Sequence, residues 1–460
     1  MVMTAGIATF VLAAWLTGGT QTQGALAFSA LPLKADSPSD NPSTPEKVAL
    51  GRLLFWDPVL SAANDVACAT CHHPRFGYAD GRDLPIGTGA SGMGTERRFE
   101  GEGPVPFVRR NSPSVLNAAF NGLAVTGHYE PATAPMFWDT RVRSLETQAL
   151  EPLKALDEMR GDVQGGDAAV AAAVRRVAAI AEYRDLFAGA FGARAPVTAT
   201  NMSRAIASFE RSLVAADSPF DRYMRGDHSA MNATEVRGMQ AFQDSGCANC
   251  HSGPMFSDFK THVLGVRDNT KLATSDTGKD GTYAFRTPSL RNLASTGPYM
   301  HSGVARSLND VVNFYTFRRG GPGGAGGPGP GRGGPGGPGR GGPGPGGIDN
   351  RTALPPGAAA SGVVFDLAPV AQAGGAGQGG PGAGPRGQGG PPNGRGGRGG
   401  RGNLINPNVA ANQLDPLLRR VTVRNRRTDI IEFLQALNSD FDRTIPDRVP
   451  SGLHPGGAID

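Results

Sequence analysis

Apolar residues recur along this chain at helical spacing far more often than in strict alternation. Met202, Ile206, Phe209 and Leu213 fall on one helical face, and Ile430, Phe433, Leu434 and Leu437 form a second stripe that Thr428 is placed to cap. Ser43-Thr44-Pro45-Glu46 supplies a capping residue, a proline for the first turn and an early acid, and Val48, Leu50, Leu53, Leu54 and Phe55 follow. A further helix is predicted over Glu235 to Phe242. Strand-like patterning is sparse, so the expected fold class is all-α. At the start, the apolar stretch Ala5 to Leu16 is shorter than the roughly 20 residues a bilayer span needs. Polar residues and a small-x-small sequence, Ala25-Leu26-Ala27, follow it, which predicts a signal peptide over 1–27 despite the absence of Lys or Arg ahead of it. A buried N-terminal helix is the alternative. No later stretch approaches a membrane span, so an exported, periplasmic protein is expected.

Composition divides the chain. Of 68 Gly, 36 lie between Gly320 and Gly402, together with 14 Pro, in 83 residues. The same segment holds seven Arg and two Asp and so carries the whole net charge of +5, while the remainder balances 38 basic against 38 acidic residues. A globular surface built to grip nucleic acid is thereby excluded, and so is collagen, because the glycines keep no three-residue period. The segment 320–402 cannot bury enough apolar surface to offset its ordering entropy, and a disordered insertion is expected, with Val363 to Val370 alone able to order locally. It reads as a solvated tether or as an electrostatic dock for an acidic partner.

The cysteines change the picture most. An exported chain ordinarily spends its cysteines on disulfides, but all four here fall in Cys68-Ala-Thr-Cys71-His72 and Cys247-Ala-Asn-Cys250-His251. Two thiols one short turn apart can add to the two vinyl groups of one haem, and the adjacent histidine then lies under the iron. Zinc is the other use of such pairs, but a ribbon-type site would want them close together, and they are about 180 residues apart. Two covalently bound haem c groups are expected, each in its own cytochrome c-like domain: an N-terminal one over 40–215, and a C-terminal one over 225–318 that resumes over 403–452 after the insertion.

Longer motifs then identify a family. Asn41-Pro-Ser-Thr-Pro-Glu-Lys-Val-Ala-Leu-Gly51, Leu54-Phe-Trp-Asp-Pro58, Arg110-Asn-Ser-Pro-Ser114, Phe137-Trp-Asp-Thr-Arg141, Ser144-Leu-Glu-Thr-Gln-Ala149, Ser218-Pro-Phe-Asp-Arg-Tyr223, Gly297-Pro-Tyr-Met-His-Ser-Gly303 and Val449-Pro-Ser-Gly452 follow in order. With them the chain resembles the bacterial di-haem cytochrome c peroxidases and their MauG-type relatives. The resemblance implies a peroxidatic haem at Cys68, Cys71 and His72, and an electron-transfer haem at Cys247, Cys250 and His251. It implies that Trp138 lies between the two, that Glu158 is the catalytic acid–base, and that Gln148 orients peroxide or the glutamate. It further implies a calcium held by Asn111, Thr296 and Pro298. Read without the resemblance, Trp138 is core packing, Glu158 a solvated acid, and Asn111 and Pro298 turn residues.

Two positions depart from the electron-transfer peroxidases. Those that need reductive activation block the N-terminal haem with a loop histidine, and this chain has no His between Pro74 and Gly127. An open N-terminal site is therefore expected. Fourteen residues beyond His301, where such peroxidases place a methionine ligand, stands Tyr315, as in the MauG type. Tyr315 is thus the candidate ligand of the C-terminal haem, with Met300 as a substitute and core packing as the alternative.

The function expected is reduction of hydrogen peroxide to water with electrons from a small c-type cytochrome or a cupredoxin. A MauG-like oxidase, which stores oxidising equivalents across both haems and acts on a partner protein, is the second reading. A non-enzymatic electron carrier is the third. No nucleic acid partner is expected, and a homodimer is the candidate assembly.

Overall fold

The structure, a computed structural model, describes residues 27–101, 105–162, 165–317 and 404–460. The signal peptide up to residue 26 and the 320–402 insertion expected above lie outside the described residues. The described chain is helical with few strands. Helices α1 (Pro45–Trp56), α2 (Cys68–Cys71), α3 (Leu145–Gln148), α4 (Glu151–Lys154), α5 (Gly166–Ala179), α6 (Ala181–Phe191) and α7 (Ala199–Ser212) form the first half. Helices α8 (Pro219–Met224), α9 (Ala233–Asp244), α10 (Leu308–Phe317) and α11 (Arg427–Gln435) form the second. Three antiparallel pairs of two-residue strands tie the loops: β1 (Ala90–Ser91) with β2 (Arg98–Phe99), β3 (Pro135–Met136) with β4 (Val142–Arg143), and β5 (Thr261–His262) with β6 (Phe285–Arg286). No described helix is long and apolar enough to cross a membrane.

Of the two helix caps expected from the sequence, one is found, and α9 has a cap not expected from it. Thr44 accepts a hydrogen bond from the Lys47 N–H with Pro45 in the first turn of α1, and Asn232 forms a reciprocal capping box with Glu235 at α9. At α11 the expectation fails. Thr428 lies inside the first turn, because the helix begins at Arg427 directly out of the tight turn Arg424–Arg426, whose last residues leave no break for a side chain to cap.

The two halves share one packing device. Helix α1 crosses α7 at Gly51, where an added Cβ would lie 1.9 Å from the Ala205 carbonyl oxygen and 2.9 Å from Phe209 Cβ. Helix α9 crosses α11 at Gly238, where it would lie 1.9 Å from the Asp429 carbonyl oxygen and 2.8 Å from Phe433 Cβ. Beside each crossing an aromatic edge meets an aromatic face, Phe55 on Phe209 at 5.1 Å and Phe242 on Phe433 at 5.5 Å. In both halves the leading helix precedes the C-x-x-C-H loop, so the crossing fixes where that loop begins. Gly51→Ala and Gly238→Ala are each expected to destabilise by roughly 1–3 kcal/mol through overpacking, read as a lowered denaturant midpoint with an unchanged m-value.

Polar ties join the remaining segments. Asp221, at 0 % exposure, holds Arg291 with two bonds of 2.8 and 3.0 Å, receives the Leu31 N–H at 2.8 Å, and completes the capping box of α8 with Ser218. The chain after residue 403 lies against 263–267: Ile405 bridges Val266, Arg267 N–H donates to Leu404 O, and Asp415 N–H donates to Val263 O. Asp415 also reaches His262, whose ring it clamps against Asp258, with ring nitrogens 2.6 and 2.9 Å from the two carboxylates. The bond to Asp258, then one to Cys250 and that to Asp415, raise the His262 pKa to about 11, against the opposing effect of burial.

Candidate active site

Helix α2 is a single turn, which puts Cys68 and Cys71 on neighbouring positions, and His72 closes it by donating its N–H to Cys68 O at 2.9 Å. The His72 ring is aimed from behind: its Nδ1 lies 3.1 Å from the carbonyl oxygen of Tyr78, a buried residue in the left-handed region at φ 56°. The second loop repeats the arrangement. His251 donates its N–H to Cys247 O, and its Nδ1 lies 2.9 Å from the carbonyl oxygen of Phe256, at φ 52°. A carbonyl acceptor fixes the proton on Nδ1 and leaves the Nε2 lone pair for a metal. Burial lowers the pKa of both imidazoles, so each ring is neutral as a ligand must be. None of the four cysteines is in a disulfide.

Each loop opens on a cavity. The first, about 380 Å³, is lined by Cys68, Cys71 and His72 together with Glu158 and Met159. The second, about 290 Å³, is lined by Cys247, Cys250, His251, Met300 and Tyr315. Trp138, Gln148 and Asn111 border both. The donor sets fit a covalently attached haem in each: paired thiols, an oriented nitrogen and an apolar wall. Arg286 adds an independent sign. It lines the second cavity buried, its Nε donates to Phe137 O at 3.0 Å, and no ion pair to a carboxylate is found for it among the described residues. A buried guanidinium facing a cavity suits an anionic substituent such as a haem propionate.

Glu158 sits on a single π-helical turn, Leu156–Arg160, a local geometry often found where a side chain must be aimed. Gly87 supports the turn so closely that a Cβ there would lie 2.3 Å from the carbonyl oxygens of Asp157 and Glu158, and Thr88 N–H donates to Glu158 O at 2.9 Å. The residue is half-buried against the cavity rather than fully solvated. Burial, then the charge of Asp157, raises its pKa to about 7. Gln148 ends α3, whose start Ser144 caps. Trp138 Nε1 donates to Asn111 O at 2.9 Å, and its ring stands edge-on to His301 at 6.4 Å; His301 in turn stacks on Phe285 at 3.6 Å.

Among the residues lining the first cavity, His72 is the only histidine. His73 is turned away and accepts the Arg75 N–H, and His128 is exposed. Tyr315 lies half-buried on α10 and lines the second cavity, and desolvation raises its pKa. Asn111, Thr296 and Pro298 line that cavity together, and Asn111 donates through Nδ2 to Arg82 O, which leaves Oδ1 as its acceptor end. Gly87, Arg286 and the buried Glu210 on the border of both cavities were not singled out from the sequence. Glu210 carried a faint signal, as the one acid beside the Phe209 stripe. Arg286 carried none, since its burial depends on the β5–β6 pairing.

Two matching haem-type cavities that share a tryptophan border define a two-centre haem protein. Residues 45–229 match the family model described as di-haem cytochrome c peroxidase. The chain is 39 % identical over 289 residues to the methylamine utilization protein MauG of Methylorubrum extorquens, covering 62 % of this chain and 72 % of that protein. It is 34 % identical over 302 residues to cytochrome c551 peroxidase of Pseudomonas aeruginosa, covering 63 % and 77 %. Among solved structures, a MauG-like protein associated with microbial copper homeostasis superposes with a TM-score of 0.58 at 23 % identity, covering 89 % of this chain and 94 % of the other. The chain belongs to the di-haem cytochrome c peroxidase and MauG family, and is an oxidoreductase of that family.

Proposed function

We propose that the protein reduces hydrogen peroxide to water in the periplasm, with electrons from a small cytochrome c or cupredoxin. The observation that carries this reading is a half-buried carboxyl, Glu158, with a raised pKa, lining a cavity whose sole histidine is the one placed to hold haem iron. Cys68, Cys71 and His72 hold the N-terminal haem, and Cys247, Cys250 and His251 the C-terminal one. When bound, haem iron supplies an open position for peroxide and exchanges electrons. The chain's own work is proton handling. Glu158 takes the proton from one peroxide oxygen and returns it to the departing one, Gln148 orients the pair, and burial keeps bulk water from competing. Trp138, bordering both cavities, is the bridge between the two centres, and Asn111, Thr296 and Pro298, which line the second cavity, would hold a calcium through oxygen ligands. Stopped-flow absorbance of the oxidised protein with peroxide, with and without reduced cytochrome c, tests the reading. Rapid reaction without prior reduction and donor-dependent turnover are expected; two low-spin haems inert to peroxide would overturn it.

Tyr315 favours the second reading, a MauG-like oxidase acting on a partner protein. A phenolate is an anionic ligand that stabilises the ferric state and resists a mild donor. Tyr315→Phe is expected to change the spectrum and raise the potential of one haem only; an unchanged spectrum would remove Tyr315 as a ligand. Deleting Gly320 to Gly402 is expected to leave the peroxide reaction intact and to alter donor kinetics and their salt dependence, measured by turnover at varied ionic strength.

A further inference from the structure

Glu210 is a buried carboxyl for which the proton transfer above has no use. It lies on α7 at 4 % exposure and borders both cavities, and its Oε2 has no hydrogen-bond partner. The adjacent guanidinium gives it no hydrogen bond: Arg211 Nη2 donates to Glu146 Oε1 at 2.7 Å and Nη1 to Ala207 O at 3.4 Å, while its buried Nε has no partner. The second half of the chain indicates that packing does not require an acid here. Gly51 meets Ala205 and Phe209 as Gly238 meets Asp429 and Phe433, so the counterpart of Glu210 is Leu434, which is buried and lines the second cavity. One half fills the position with a leucine, and the other places a carboxyl there at a desolvation cost.

Peroxide reduction consumes two protons and two electrons, H2O2 + 2 H+ + 2 e− → 2 H2O. Glu158 gives back what it takes, so both protons must come from outside the peroxide. We propose that Glu210 is the proton-loading group of the buried site: its carboxylate binds a proton when an electron reaches the cavities it borders, and the resulting acid releases that proton toward the peroxide cavity. Delivery to peroxide rests on the peroxidase reading; loading does not. The charged groups bearing on Glu210 are Arg211 on the same helix, which favours the carboxylate, and Glu146 from α3, which opposes it. Cys68 from α2 feels its charge and becomes a neutral thioether once haem is attached, and Glu158 shares the first cavity. Burial outweighs these and raises the Glu210 pKa to about 8. A further negative charge in the same low-dielectric space raises it again, which links electron arrival to proton uptake.

The test is stepwise anaerobic reduction of the holoprotein without peroxide, in weakly buffered solution at about pH 8.5, just above the carboxyl's range, counting protons bound with an indicator dye. The wild type and Glu158→Gln are expected to take up a proton that Glu210→Gln does not, while Glu210→Asp retains uptake. Should the Gln variant load haem poorly, Glu210→Leu, with the side chain of its counterpart Leu434, preserves the packing. Uptake equal to wild type in a Gln or Leu variant carrying both haems would overturn the proposal. Since no peroxide is present, intact uptake in a protein that does not consume peroxide would refute the peroxidase reading alone.

Discussion

Glu158→Gln is expected to lower the rate of reaction with peroxide by roughly two to four orders of magnitude, the usual worth of a positioned general acid–base, with both haems still attached. The amide keeps the size of the side chain and its place on the π-helical turn, but it can neither accept a proton nor return one. The same residue sets a pH dependence. Only the carboxylate can act as base, and its pKa is raised to about 7 by burial and by Asp157, so the wild-type rate climbs as pH rises through that value. In the Gln variant this limb disappears. Stopped-flow rates across about pH 5 to 9, a range that brackets the shifted carboxyl, read both effects; a Gln variant with the wild-type rate and profile would assign the proton transfer to another group.

Asp221→Ala is expected to be the most destabilising single change outside the haem loops. Its carboxylate and the Arg291 guanidinium are 0 % and 2 % exposed, and truncation would leave that guanidinium buried without its counter-charge. Breaking such a pair costs about 3–5 kcal/mol. The same substitution removes the acceptor of Leu31 N–H and half of the α8 capping box, so recovery by a hydrogen-bonding but uncharged Asn should be partial. Denaturant unfolding of the holoprotein, followed at the far-ultraviolet helix signal, measures it.

Much of this site was legible before any coordinates. The two C-x-x-C-H loops are local in sequence, so the thiols and the histidine declare their spacing directly. Glu158 and Gln148 were reached through resemblance, because nothing in Asp157-Glu158 distinguishes an acid lining a cavity from a solvated one; that placement depends on distant contacts, such as the close approach of Gly87, seventy residues away, to the backbone of the turn. Arg286 and His262 were invisible for the same reason, as their environments are assembled by β5, β6 and the chain after residue 403. The stripes on α7 and α11 were both read as plain core, yet only their superposition through Gly51 and Gly238 reveals an acid in one half where the other has leucine. The misplaced cap at Thr428 has a different origin, since a helix continuing out of a tight turn needs no capping side chain.

The crossing at Gly238 has a topological side. The chain must close a loop of about 190 residues to bring Asp429 onto Gly238, and 83 of them belong to the glycine-rich stretch. Loop-closure entropy grows only with the logarithm of length, so adding that stretch to a loop of about 110 residues costs about 0.5 kcal/mol. A helix pair locked by backbone contact, with Phe242, Phe256 and Phe433 around it, offsets such a sum with a fraction of one buried ring. The second half could therefore accept a long stretch between its last two helices at almost no thermodynamic penalty, and residues 404–415 beyond it are held in register against 263–267.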